Sequence, residues 1–314
     1  MQSFILLLIA GTVAQLVDGS LGMAFGVTST TLLLLIGVAP VLASTSVHLA
    51  EVGTTLASGI SHWKFGNVDW RMILWLGIPG GIGAFVGAVF LTSLSADAAK
   101  PVVAIILFSL GLYILIRFAF TRGRKLILQR PLPKAFLMPL GLVAGTIDAI
   151  GGGGWGPVGT TTLLSSGRME PRMVVGTIDT SEFIVAVCAS LGFLLGLSMT
   201  QIPWHIVGAL LIGGVIAAPV AAWIVRHLDA RILGTAVGGW IVITNAHTFL
   251  KAIGVSGDML GSGATAIIIP VYAAAIIVWA TALYFAIAAA RCERMQMFDE
   301  SQATGATRTV LSEG

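Results

Sequence analysis

Residues Ala144–Thr160 read AGTIDAIGGGGWGPVGT. Four consecutive glycines and an aspartate sit inside a chain that is otherwise overwhelmingly apolar. Adjacent glycines face all directions on a helix and weaken it, so close helix packing alone does not explain the run. Backbone this loose serves a cofactor loop, a hinge or the floor of a transport site. The cofactor loop is set aside: Gly151–Gly156 fits G-x-G-x-x-G only as GGGGWG, with no strand before it and no βαβ setting.

The surroundings decide between the other two. Of 314 residues, 56% are hydrophobic and only 10% charged, where a soluble domain carries about a quarter charged. Apolar stretches of about 20 residues recur from end to end, each long enough at 1.5 Å per residue to cross a ~30 Å hydrocarbon layer. The composition is that of an all-α polytopic membrane protein. The start, MQSFILLLIAGTV, lacks the basic residues and cleavage site of a secretory signal and is read as part of the fold. A net charge of +3 comes largely from loops, the ordinary rule for membrane proteins, and calls for no nucleic acid. Cys188 and Cys292 suggest neither a disulfide nor a metal set. No histidine pair has metal spacing, and GDMLGSG (Gly257–Gly263) lacks the strand–turn–helix setting of a nucleophile elbow. No enzyme activity, metal or cofactor is expected.

Hydropathy places spans near 41–61, 71–93, 98–118, 171–197, 203–226, 229–253 and 262–290, with split stretches at 4–17/22–37 and 136–150/152–166. The connector TRGRKLILQRPLPK is the most basic loop, and the tail from Arg291 is polar. The two parts match. LIAGTVAQ (Leu8–Gln15) answers LVAGTIDA (Leu142–Ala149), Pro40 answers Pro171, Ser58 answers Ser190, Asp69-Trp70 answers Pro203-Trp204, and Gly80-Gly81 answers Gly213-Gly214, at an offset drifting only from 131 to 134 residues. Constant order at one offset favours duplication. The expected organisation is a first repeat at 1–120, the connector at 121–134, a second repeat at 135–253, a C-terminal transmembrane helix at 254–290 and a polar tail at 291–314.

Orientation follows from Lys and Arg. With the connector in the cytoplasm, His62, Lys64, Arg71, Arg168, Arg172, Arg226–Arg231, Arg291 and Arg294 all fall inside if 136–166 enters and leaves on the same side. Each repeat is then a Gly-rich re-entrant hairpin plus three crossings. An odd number of crossings inverts the second copy, a recurring build of secondary transporters. Non-helical backbone at that depth needs protein or cavity water to satisfy it. Trp155-Gly156-Pro157 can begin a new half-helix whose N–H groups attract an anion, and Val17–Gly26 (VDGSLGMAFG) is its counterpart. Two tips meeting at the midplane would make one polar chamber.

Ionisable groups within spans are costly and commonly functional. Asp18, Glu51, Asp148, Asp179 and Glu182 lie in or beside apolar segments, and His48 precedes Glu51 by three residues on one helical face. A carboxylate or histidine that protonates there couples a transport cycle to a proton. His48, Glu51, Asp148, Asp179 and Glu182 are the candidates. Ser44, Thr45, Ser46, Thr180 and Ser181 either bind oxyanion oxygens or bond back to their own helices. Asn245 is expected to bond a neighbouring helix and Lys251 to snorkel. Trp70, Trp75, Trp204 and Trp223 read as interface anchors; Trp155 reads as a chamber wall.

The duplicated Gly-rich segments, Ser44-Thr45-Ser46 after the first, Thr180-Ser181 after the second, and SGISHWKFGNVDW (Ser58–Trp70) together resemble the sulfite exporter TauE/SafE family of membrane permeases over about residues 4–253. That resemblance implies transport of small anions, commonly sulfur-containing oxyanions or organosulfonates. Asp18-Gly19-Ser20 stands where the pattern has a richer glycine cluster, and Glu182 follows Thr180-Ser181 within a span. The expectation is a secondary transporter of sulfite or a short sulfonate in the cell (inner) membrane, alternating access by rocking of the repeats. The substrate is assigned to Asp18, Gly19, Ser20, Ser44, Thr45, Ser46, Gly151, Gly152, Gly153, Gly154, Trp155, Thr180 and Ser181. An anion channel, a membrane assembly or scaffold protein, and association of identical chains stay open.

Overall fold

The computed structural model describes residues 4–21, 23–120, 132–166, 168–224, 230–252 and 269–291, and within them all side chains but those of 19–21, 61, 171–172, 218–224, 230, 247 and 251–252. Most of the connector (121–131), the loop expected at 254–261, Arg226 and the tail from 292 lie outside the described residues, as do the side chains of Gly19, Ser20, Trp223, His247 and Lys251.

Among the described residues every regular element is helical. In chain order they are α1 (Phe4–Leu21), α2 (Phe25–Leu35), α3 (Pro40–Lys64) and α4 (Trp70–Met72), which runs through a π-helical turn (Ile73–Gly77) into α5 (Ile78–Ser93). Then come α6 (Ala96–Phe120), α7 (Lys134–Gly151), a π-helical turn (Trp155–Thr160) leading into α8 (Thr161–Ser166), α9 (Pro171–Gly196), α10 (Trp204–Ile224) and α11 (Ala230–Ala252). The last is α12 (Ile269–Arg291). Five stretches among the described residues are long and apolar enough to cross a membrane: Trp70–Ser93, Ala96–Phe120, Lys134–Gly151, Met173–Gly196 and Ile269–Arg291. The protein is an all-α, multi-pass membrane protein.

Local chemistry sets the helix starts. Asp69 Oδ1 accepts the N–H groups of Arg71 at 2.9 Å and Met72 at 3.2 Å, a side-chain N-cap. At the corresponding start of α10 stands Pro203, whose missing N–H needs no cap. Pro157 lies in the π-helical turn that opens α8, where a residue without an N–H interrupts the ordinary bonding ladder.

The packing is reciprocal. α7 lies on α5 as α1 lies on α10, α9 touches α5 as α3 touches α10, and α3–α9 and α6–α11 pair directly. Apolar helices gain no hydrophobic drive from leaving lipid, so close backbone approach carries much of this contact. The LIAGT and LVAGT segments sit at the two matching crossings. A Cβ on Gly11 would come within 2.7 Å of the Leu210 backbone, and one on Gly145 would strike the Gly80 carbonyl. Thr12 and Thr146 turn their hydroxyls back onto the carbonyls of Leu8 and Leu142, each at 2.8 Å. Gly213 faces the Leu8 carbonyl as Gly83 faces that of Leu142. The fold therefore matches Gly83, rather than Gly80, with Gly213; contact register runs from the crossing point, which dipeptide identity does not report.

Three contacts mark one end of the bundle. Lys134 Nζ lies 3.9 Å from the centre of the Trp75 ring, the Asp69 N–H donates to Thr177 Oγ1 at 2.9 Å, and Gly176 abuts Asn67 and His62. The heads of α7 and α9 thus share an end with the turn between α3 and α4. Trp63, Phe65, Trp70 and Lys64 are exposed there.

Candidate functional site

The turn between α7 and α8 shows why the glycines stand together. Gly152 and Gly153 have φ of 69° and 155°, values that side chains rarely adopt. A Cβ on Gly153 would strike the backbone of Gly26 and Val27 at the start of α2, and one on Gly152 would strike Thr30. Thr30 Oγ1 donates to the Gly152 carbonyl at 2.7 Å. The two chain breaks, one after α1 and one after α7, meet in the interior.

Asp148 closes its own break. Its Oδ1 accepts the N–H groups of Gly154 at 2.6 Å and Trp155 at 2.9 Å, and its Oδ2 lies 3.1 Å from His48 Nε2. Asp18 repeats the device: its Oδ1 accepts the Phe25 N–H at 3.0 Å, again seven residues on. At the second break the first N–H groups, open to an anion on sequence grounds, are taken by Asp148; at α2 the chain's own carboxylate takes only the Phe25 N–H, and those of Gly26 and Val27 lie beyond that cap. Counted from Gly11 and Gly145 at the crossings, Asp18 stands four residues farther along its helix than Asp148, about one turn or 6 Å. The first break therefore lies one turn beyond its crossing relative to the second.

His48 is fully buried. Its Nδ1 lies 2.9 Å from the Ser44 carbonyl, an acceptor only, so Nδ1 carries a proton. Nε2 faces Asp148, and one further proton is shared between them, either as imidazolium and carboxylate or as imidazole and carboxylic acid. Ser44 Oγ donates across to the Ala149 carbonyl at 2.6 Å, tying α3 to the end of α7.

Glu51 lies one turn farther along α3. It is 1% exposed, and neither carboxyl oxygen has a hydrogen-bond partner. A Cβ on Gly26 would stand 3.0 Å from Glu51 Oε1, which puts the carboxyl against the first turn of α2. The hydroxyls of Thr28 and Ser29, in that turn and buried, also lack partners. Unsatisfied polar atoms this deep cost several kcal/mol unless a ligand, water or proton completes them.

The other candidates divide. Thr45, Ser46, Thr180 and Ser181 spend their hydroxyl protons on their own helices, at the carbonyls of Val41, Leu42, Gly176 and Ile178. Gly151 ends α7 beside Ile106. Trp155 is fully buried in the apolar core, packs on Gly80, and donates Nε1–H to the Ile178 carbonyl at 3.2 Å. Asn245 reaches α2, donating to Thr31 Oγ1 at 3.2 Å. Trp70 and Trp204 are half exposed, as surface anchors should be.

Asp179 sits with two residues that were given no site role from the sequence. Ser58 Oγ donates to its Oδ2, and His62 Nε2 lies 3.5 Å from the same oxygen. Asp18 and Glu182 lie within electrostatic reach of it.

Residues 7–248 match the family described as "Sulfite exporter TauE/SafE". A "Probable membrane transporter protein YtnM" of Bacillus subtilis (strain 168) is 52% identical over 252 residues, covering 80% of this chain and 84% of that protein. The chain belongs to the TauE/SafE family. A solved structure titled "Crystal structure of protein" aligns over 91% of this chain and 98% of its own at 18% identity and a TM-score of 0.25, too low to inform the fold.

Within this TauE/SafE chain one signal was legible and passed over. His48 and Glu51 on α3 recur as Asp179 and Glu182 on α9, each 131 residues later, the offset that also relates Pro40 to Pro171. The titratable positions are part of the duplication. The Gly-rich segments supply the breaks, and Glu51 of α3 lies against the first of them.

Proposed function

We propose that this protein is a secondary transporter of small anions, with sulfite or another sulfur-containing oxyanion or short organosulfonate as substrate. The observation that carries the reading is the meeting of the α7–α8 turn with the first turn of α2 beside the unpartnered Glu51 carboxyl, on a helix start whose Thr28 and Ser29 hydroxyls are also buried without partners. An anion bound there takes hydroxyl donors and the positive end of α2, whose Gly26 and Val27 N–H groups have no helical acceptor of their own. The Gly152–Gly153 backbone, packed directly on that turn, closes the site on one side. Glu51 faces the same space and takes up a proton to admit a negative solute. His48 and Asp148 supply a shared proton beside it, and Asp179 and Glu182 form the corresponding pair on α9.

In this reading α1–α2 and α7–α8 are re-entrant hairpins of two inverted repeats, and the site opens alternately to either side. The reciprocal helix pairing and the common end shared by the heads of α7 and α9 support it. The end that carries Lys64, Arg71, Lys134 and Arg168 faces the cytoplasm of the cell membrane, as the positive-inside rule directs.

Purified protein in proteoliposomes tests the proposal, with a panel of sulfite, sulfate and short sulfonates under imposed pH gradients. Saturable flux and counterflow of labelled sulfite are expected. Flux without saturation or counterflow would replace the carrier with a channel. No flux, together with unchanged thermal stability across the panel, would leave a scaffold.

A further inference from the structure

The packing of α3 on α9 carries an inference beyond the anion site, though it rests on the carrier reading. On α3 the residues Ser44, His48, Glu51, Thr55, Ser58 and His62 follow at steps of four, three, four, three and four. That spacing keeps all six on one helical face, a polar stripe about 27 Å long at 1.5 Å per residue. The facing helix runs antiparallel: Gly176 abuts His62, Gly59 abuts Thr180, and the His48 ring centre lies 5.8 Å from that of Phe193. Its polar positions include Asp179, Glu182 and Ser190, besides Thr177, Thr180 and Ser181.

Access along this seam is one-sided. His62 and Asp179 side chains are 25% and 14% exposed, at the end of the bundle shared with the head of α7. Asp18 and Glu182 are partly buried, and Glu51, His48 and Asp148 are sealed at 1%, 0% and 1%. Beyond His48 the seam is shut by Phe193 and by the Ser44 bond to the Ala149 carbonyl.

We infer that the α3–α9 seam is a proton path, entered at His62 and Asp179 and ending at Glu51 beside the His48–Asp148 pair. The charged groups around Glu51 are His48 on its own helix, Asp148 on α7, Asp18 on α1 and Glu182 on α9, with Asp179 nearer the entrance. α2 carries no titratable side chain, and the His205 of α10 is exposed at that helix's start. On α6, Asp97 and Lys100 are exposed near one end, Tyr113 is bonded to Thr161, and Arg117 lies toward the other end. His62 suits the entrance because its two ring nitrogens let it take a proton on one side and pass one on from the other. Its Nε2 faces Asp179, and its buried Nδ1 has no bonded partner. The proton passes from water to His62, then to Asp179, and inward by way of Glu182 to Glu51. No bond other than those to the proton changes.

The experiment follows internal pH and labelled sulfite in proteoliposomes for wild type, His62→Ala, His62→Gln and Glu51→Gln, each checked for a wild-type melting transition. The second His62 variant serves if the first does not fold. Wild type should move protons with sulfite. Glu51→Gln should abolish that proton movement. The His62 variants should slow it by about tenfold or more, as loss of a positioned proton-transfer group does, while sulfite counterflow stays at the wild-type rate. Wild-type proton movement in both His62 variants, or equal loss of counterflow, overturns the path. Wild-type sulfite counterflow with no accompanying proton movement also overturns it and leaves the carrier intact; absence of all sulfite flux removes both.

Discussion

Replacing Asp148 separates two roles that one carboxyl plays. Asp148→Ala removes the acceptor for the Gly154 and Trp155 N–H groups, at 2.6 and 2.9 Å. Both are buried, and each N–H left unsatisfied costs about 1–3 kcal/mol, so the two together cost about 2–6 kcal/mol. The neighbouring His48 Nε2 loses its partner as well. Asp148→Asn keeps an oxygen for both amides, and its NH2 donates to His48 Nε2 once Nδ1–H is held by the Ser44 carbonyl. Only charge assistance is lost, about 1 kcal/mol per bond. Thermal unfolding of the purified protein in detergent, followed by intrinsic fluorescence, should rank wild type above Asn and Asn well above Ala. A total stability of about 5–15 kcal/mol makes the Ala loss large enough to read. An Ala variant that melts with wild type, or an Asn variant that falls as far as Ala, would refute the capping role.

Gly153→Leu should reach the membrane but show no sulfite flux, because the side chain would strike the Gly26–Val27 backbone; proteoliposome flux at the wild-type rate would count against the turn's place in the site. Ala24 holds φ at 94° in the break after α1, so Ala24→Gly should stabilise by about 1 kcal/mol, seen as a raised melting temperature. Thr30→Val removes the hydroxyl that bonds the Gly152 carbonyl at 2.7 Å. It should cost about 1 kcal/mol and speed hydrogen exchange at the Gly153 amide; unchanged exchange would mean that the two breaks are held together by other contacts.

Much of the fold was legible because hydropathy reports lipid contact directly. Predicted spans at 98–118 and 171–197 became Ala96–Phe120 and Pro171–Gly196, with ends marked by a polar loop or a proline. The broken stretches were legible too, since four adjacent glycines have no use within a continuous helix. What escaped was contact between distant residues. Asp148 looks like a titrating group in sequence, yet its bonds run to amides six and seven residues on, a spacing that only a chain reversal makes meaningful. The hydroxyls of Thr28 and Ser29 carry no motif, and their lack of partners is visible only once α2 is buried. Ser58 and His62 lie at regular helical steps from Glu51, but reading polar residues singly hid a stripe that belongs to one face.

The glycine crossings have a consequence for how the molecule can come apart. α7 is seated on α5 and α1 on α10 with main chain against main chain, and each seam joins an element from one half of the sequence to an element from the other. Neither half is therefore a self-sufficient module: produced alone, each would carry a bare glycine furrow with nothing to fill it. A swing that prised the halves apart, such as the rocking of one repeat against the other expected from the sequence, would tear both seams, so bodies that move as units would be braided from both.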